Sequence, residues 1–128
     1  MSVDVIWDNE ERSTLRYVFD KHWTWEDVAT ATLEAHAALD AVPHRHVAII
    51  FDAPPNVRVP PDTLVNARRA IGSSHPKGYP LVFVLVNPLA RMIVSTLAHI
   101  SGSIGAQMHI VDSIAEARTV IAEHAAKV

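Results

Sequence analysis

The chain has 128 residues, of which 49% are apolar and 20% charged, with a formal net charge of −3 and a pI near 6.2. A mildly acidic balance argues against strong nonspecific nucleic-acid binding, which depends on neutralising phosphates. Cysteine is absent, which excludes disulfides, thiolate catalysis and cysteine-based zinc sites and fits a cytoplasmic location.

The length suits one domain over residues 1–128. The start, Met1-Ser2-Val3-Asp4-Val5, lacks the basic and apolar segments of a secretory signal. The longest apolar runs are about six residues, against the ~20 needed to span a bilayer, so the chain is expected not to be membrane-spanning.

Residues 1–22 predict a β-hairpin. Val3, Val5 and Trp7 alternate with Asp4 and Ile6, and Leu15, Tyr17 and Phe19 alternate with Arg16 and Val18. The polar stretch Asp8-Asn9-Glu10-Glu11-Arg12 supplies the turn. Thr24 and Asp27 have capping-box spacing. The helix they open carries Trp25, Val28, Thr32, Ala35 and Leu39 at helical intervals and stops before Pro43.

Val47 to Asp52 is the first of three short apolar runs, each ending in a polar cap and leading into a helical pattern. The others are Leu81 to Asn87 and Met108 to Asp112. Apolar runs without alternation suit strands buried on both faces of a sheet. Four prolines stiffen the loop Ala53 to Pro61. Asp62 or Thr63 opens a second helix with Leu64, Ala67 and Ile71 inward, ending at Gly72. Ser73 to Pro80 reads as a loop.

Asn87 and Pro88 open a third helix. Leu89, Ile93 and Leu97 are assigned to its core side, which leaves Met92 and Val94 as candidates for a dimer interface. Ser101 to Gly105 ends it. Ser113 and Glu116 open the last helix. The expectation is an α/β fold: an N-terminal β-hairpin, then three strand-helix units, with a mixed, mostly parallel sheet covered by about four helices.

This arrangement, with Trp23-Thr24-Trp25 opening the first helix, Val47 to Asp52 as central strand and Pro60-Pro61-Asp62-Thr63-Leu64 opening the second helix, resembles the STAS domain. The likeness is closest to the bacterial anti-sigma-factor-antagonist-like branch grouped with CRAL-TRIO-type lipid-binding domains. The resemblance implies a non-enzymatic regulatory or protein-protein interaction domain, homodimeric or with a protein partner. Its alternative implication is a lipid or other apolar small-molecule binding module. Phosphoswitch members of the family carry an Asp-Ser-Ser-Gly type motif at the second helix. Here the matching stretch is Pro61-Asp62-Thr63-Leu64, in which Thr63 alone keeps a hydroxyl. Thr63→Glu is accordingly expected to be nearly neutral.

Asp52, Asp62 and Thr63 fall at the C-terminal edge of the predicted sheet, where open α/β sheets bind ligands and a first helical turn can hold an anion. The plainer reading is a loop-organising Asp52 and a capping Asp62. His44 and His46 would share one strand face and, with His75, His99 or His109, are weak metal candidates, since a catalytic zinc needs three converging ligands and no spacing matches a metalloenzyme motif. Ser73, Ser74 and His75 are the nearest approach to a nucleophilic site. No nucleophile elbow accompanies them, so an enzyme working from the loops at the sheet edge ranks third. The four glycines form no phosphate-binding pattern, and no cofactor is implied. Trp7, Trp23 and Trp25 are core or interface anchors, or the wall of an apolar pocket.

Overall fold

The computed structural model describes residues 2–127. Five strands form one sheet in the spatial order in which they occur along the chain. They are β1 (Val3–Trp7), β2 (Thr14–Phe19), β3 (Val47–Asp52), β4 (Gly78–Val84) and β5 (Met108–Val111). The hairpin pair β1–β2 is antiparallel and the three following pairs are parallel. Five helices complete the fold: α1 (Trp25–Ala41), α2 (Thr63–Gly72), α3 (Pro88–Ile100), the single turn α4 (Gly102–Gly105) and α5 (Ile114–Lys127). The expected α/β layout is present, with α4 as an addition.

Local chemistry accounts for the helix starts. Thr24 Oγ1 accepts from the Asp27 N–H at 3.1 Å, and the Asp27 carboxylate accepts from the Thr24 N–H at 3.0 Å, closing the capping box. Asn87 accepts from the Ala90 N–H at 3.1 Å, with Pro88 in the first turn. Ser113 caps Glu116 at 3.1 Å. Gly102 has φ of +57°, a conformation other residues rarely adopt. A Cβ on Gly105 would sit 1.9 Å from the Ala98 carbonyl oxygen, so only glycine lets α4 fold back on α3.

Side-chain alternation divides the core between the sheet's two faces. One face presents Val3, Leu15, Tyr17, Val47, Ile49 and Leu81, packed with Trp23 and with Val28, Ala31, Ala35 and Leu39 of α1. The other presents Ile50, Val82, Val84 and Val111 to Ala117 and its neighbours on α5. β3 and β4 are thus apolar on both sides, which is why their sequences run without alternation.

Four local expectations are corrected. β4 starts at Gly78, three residues before the apolar run, and stops at Val84. It takes in Pro80 because the register shifts there, with Gly78 and Leu81 opposite Val47 and Ile49. The extra residue forms a bulge-like irregularity, where a strand tolerates a missing N–H. On α2, Leu64 is exposed and Thr63 is the buried residue, because the Thr63 hydroxyl donates to the Pro60 carbonyl at 2.6 Å and sets the helix rotation from the proline loop. On α3, Val94 joins Leu97 as a buried residue, and Leu89 is half exposed. The inward side runs through positions 90, 94 and 97, one step round from the expected stripe. His44 and His46 both precede β3, so strand alternation does not align them.

Candidate functional site

The central feature of the first face is an aromatic row. Tyr17, Phe51 and Phe83 are register partners on β2, β3 and β4. Tyr17 and Phe51 lie 4.8 Å apart between ring centroids, and Phe51 and Phe83 lie 4.6 Å apart at 11°. Aromatic contacts of this kind add to the stabilisation from the area each ring buries. Above the row lies an apolar cavity of ≈ 170 Å³. α1 borders it with Trp25, Val28, Thr32 and Leu39, and α3 with Ile93, Val94 and Leu97.

α2 explains why the space is empty. It connects the two central strands and turns Thr63, Ala67, Ala70 and Ile71 toward the cavity. Thr63 is its only buried residue. A helix covering a sheet normally fills the gap with large side chains, because interiors pack to crystal-like density. Here the helix borders the space with two short alanines, and Ala70 stays exposed. α2 packs against α3 instead.

Polar atoms at the cavity are mostly engaged elsewhere. The Tyr17 hydroxyl contacts Thr32 Oγ1 at 3.4 Å, and burial holds its pKa above the ordinary phenol value, although the Thr32 contact lowers it somewhat. Trp23 Nε1 donates to the Arg58 carbonyl at 2.8 Å. Trp23 packs edge-to-face on both Phe19 and Trp25. The Trp25 indole N–H is buried without a partner, a destabilising arrangement.

At the far end, Ser73, Ser74 and His75 also border the cavity. His75 Nε2 lies 2.7 Å from Asp40 Oδ1, and its Nδ1 accepts from the Lys77 N–H at 3.0 Å. Hydrogen bonding to His75 holds the Asp40 carboxyl below its ordinary pKa. The serine hydroxyls donate to the Arg69 and Ile71 carbonyls. Both ring nitrogens and both hydroxyls are therefore committed to structure, the reverse of a serine poised beside a free base.

The edge residues separate. Asp52 shares the α5-facing side with Ile50 and pairs with Arg16. Arg16 also faces Asp8 at 3.6 Å, and Asp8 is gripped by Arg118 of α5 through bonds of 3.0 and 3.1 Å. Asp52 thus belongs to a charge network on the opposite side of the sheet from Thr63. Asp62 is exposed, and its side chain makes no capping bond. Of the three, Thr63 alone borders the cavity.

His44 Nε2 contacts the Glu11 carbonyl at 2.8 Å. His46 stacks on Tyr79 at 4.8 Å and meets His124 edge-on. Among the described residues, no three His, Asp or Glu side chains converge as a metal site would require. Met92 is 59% exposed, whereas Val94 is 8% exposed and faces the cavity. The dimer candidates thus lie on different sides of α3.

Sequence reasoning noted Trp7, Trp23 and Trp25 as a possible pocket wall; Trp23 and Trp25 border the cavity, whereas Trp7 packs against the core outside its lining. It missed Tyr17, Phe51, Phe83 and Arg58. An aromatic residue in each of three successive strands was a visible signal. Their mutual register was not. No helix of the described residues is long and apolar enough to cross a membrane. Comparison with family models, with curated proteins and with solved structures gave no match.

Proposed function

We propose that this domain binds an apolar small molecule between its sheet and helices. The observation that carries the reading is the cavity over the Tyr17–Phe51–Phe83 row, left open by Ala67 and Ala70. An apolar void of roughly 150 Å³ suffices to bind benzene, so ≈ 170 Å³ accommodates a ring or a short chain. Apolar walls supply affinity without direction, and the few polar groups at the margin supply orientation. The CRAL-TRIO side of the resemblance agrees with this use, and the engaged serines and His75 favour binding over catalysis.

The test uses 1-octanol, followed by quenching or enhancement of tryptophan fluorescence, since Trp23 and Trp25 border the cavity. Saturable one-to-one binding is expected. Ala70→Phe, which fills the space from α2, should abolish it while the melting temperature stays level or rises. Absence of saturable binding to the wild-type chain would refute the reading. Native mass spectrometry of protein from its own host would report subunit count and retained ligand together.

A second reading, a regulatory protein-protein or homodimer contact as the STAS likeness implies, draws on the outer side of α3. Leu89, Met92 and Ile100 are each about half exposed there, and apolar surface of this kind is a common feature of interaction sites.

A further inference from the structure

The chemistry around the cavity is one-sided. Among the described residues, no aspartate or glutamate borders it, and Arg58 is the only lysine or arginine that does. Arg58 enters none of the ion pairs among the described residues. Its backbone is held from both sides: its N–H donates to the Lys21 carbonyl at 2.8 Å, and its carbonyl accepts from Trp23 Nε1 at 2.8 Å. The proline-stiffened loop therefore fixes the root of this side chain against the indole that walls the pocket, and the residue is exposed.

We infer that the ligand is an amphipathic anion, a carboxylate with a hydrocarbon or aromatic body, whose head meets Arg58 while its body lies on the Tyr17–Phe51–Phe83 row. This rests on the cavity reading above and adds the class of ligand to it. The guanidinium presents a fork of donors that matches a carboxylate in two parallel hydrogen bonds. A cation at the mouth of an apolar space, with no acidic lining to oppose an anion, favours an anionic head over a neutral one of equal size. The charged oxygens stay near water, so the body alone is desolvated and the cost of burying charge is avoided. Thr63 and Trp25 border the same cavity, but the Thr63 hydroxyl is spent on Pro60 and the Trp25 N–H is already enclosed. His36 and His75 border it too, packed edge-on to each other, with His75 bonded to Asp40. Arg58 is the one permanently charged side chain among these and the group best suited to meet a carboxylate head.

The experiment compares octanoate with 1-octanol, which share a chain length and differ in head charge, by tryptophan fluorescence and calorimetry on the full chain at pH 7.5. Octanoate should bind about three- to tenfold more tightly, as expected for a partly exposed charge pair. Arg58→Gln should abolish that preference, bringing octanoate affinity down to that of octanol while the fold is kept, because the backbone bonds to Lys21 and Trp23 do not depend on the side chain. Arg58→Lys should retain part of it. The preference should weaken in high salt. Octanol binding with no preference for octanoate would overturn the assignment of an anionic ligand while leaving the apolar cavity as a binding site. Equal losses for both ligands in Arg58→Gln would overturn it too, by marking Arg58 as merely structural. Failure of both ligands to bind would overturn the cavity reading itself.

Discussion

Phe51 and Phe83 lie face to face across the two central strands, 4.6 Å apart and 11° from parallel. They are register partners, so the pairing of β3 with β4 itself brings the rings together. On the opposite face the same two strands carry Ile50 and Val82, both fully buried under α5. One strand pair therefore builds a closed core on one side and the floor of an open cavity on the other.

The closed side is the sensitive one. Ile50→Asp should destabilise the protein by several kcal/mol, because it buries a charge with no partner. Phe51→Ala should enlarge a space that already exists. Its cost should fall near the lower end of the roughly 3–5 kcal/mol typical of a buried phenylalanine. Urea denaturation of both variants checks the order.

Thr63→Glu reverses the expectation drawn from sequence. The hydroxyl is buried and bonded to Pro60, so the substitution drives a carboxylate toward the apolar cavity. A loss of about 1–3 kcal/mol is expected from the broken bond and the desolvated charge, with octanol binding weakened in parallel. Thermal unfolding and the fluorescence titration together test this.

The two sides of α3 should respond differently to the same charge. Met92→Glu leaves a folded chain and weakens any self-association through that side, because each two-fold contact would gain two negative charges. Val94→Glu buries the charge and should unfold the protein or lower its melting temperature sharply. Light scattering at micromolar concentration and circular dichroism separate the outcomes. A wild-type chain that runs at 14.1 kDa at every concentration removes the dimer reading.

Stability should fall as pH drops from 7.5 to 5. Burial pushes the His46 and His109 pKa values down, and His124 adds to both shifts, with Arg45 adding to the first. The folded state thus resists protons that the unfolded chain accepts below about 6.5. The stabilisation by these groups is complete above that value and is lost progressively toward the depressed folded values. Replacing His124 with Gln should flatten the decline. Asp27 and Asp40 are held below the ordinary carboxylate range, so their effects emerge at lower pH and leave this window to the histidines. Melting temperatures across the range give the comparison.

Capping residues and strand patterns were legible directly, because they act within a few residues. Thr24 with Asp27, Asn87 with Pro88, and Ser113 with Glu116 each announce a helix start by chemistry that needs no tertiary partner. Val47 to Asp52 announces a strand covered on both faces for the same reason. The chain alone thus determined the α/β class and the order of elements. Tertiary structure decided how each helix is rotated and which strands stand in register. Thr63 faces inward because Pro60 holds its hydroxyl, and Val94 faces inward because of the way α3 settles against the sheet. Tyr17, Phe51 and Phe83 meet only after three segments distant in sequence pair side by side. Asp52, close to Thr63 along the chain, is carried to the other side of the sheet by simple alternation. A cavity depends on what fails to fill a gap between elements, and short-range patterns contain no measure of that gap.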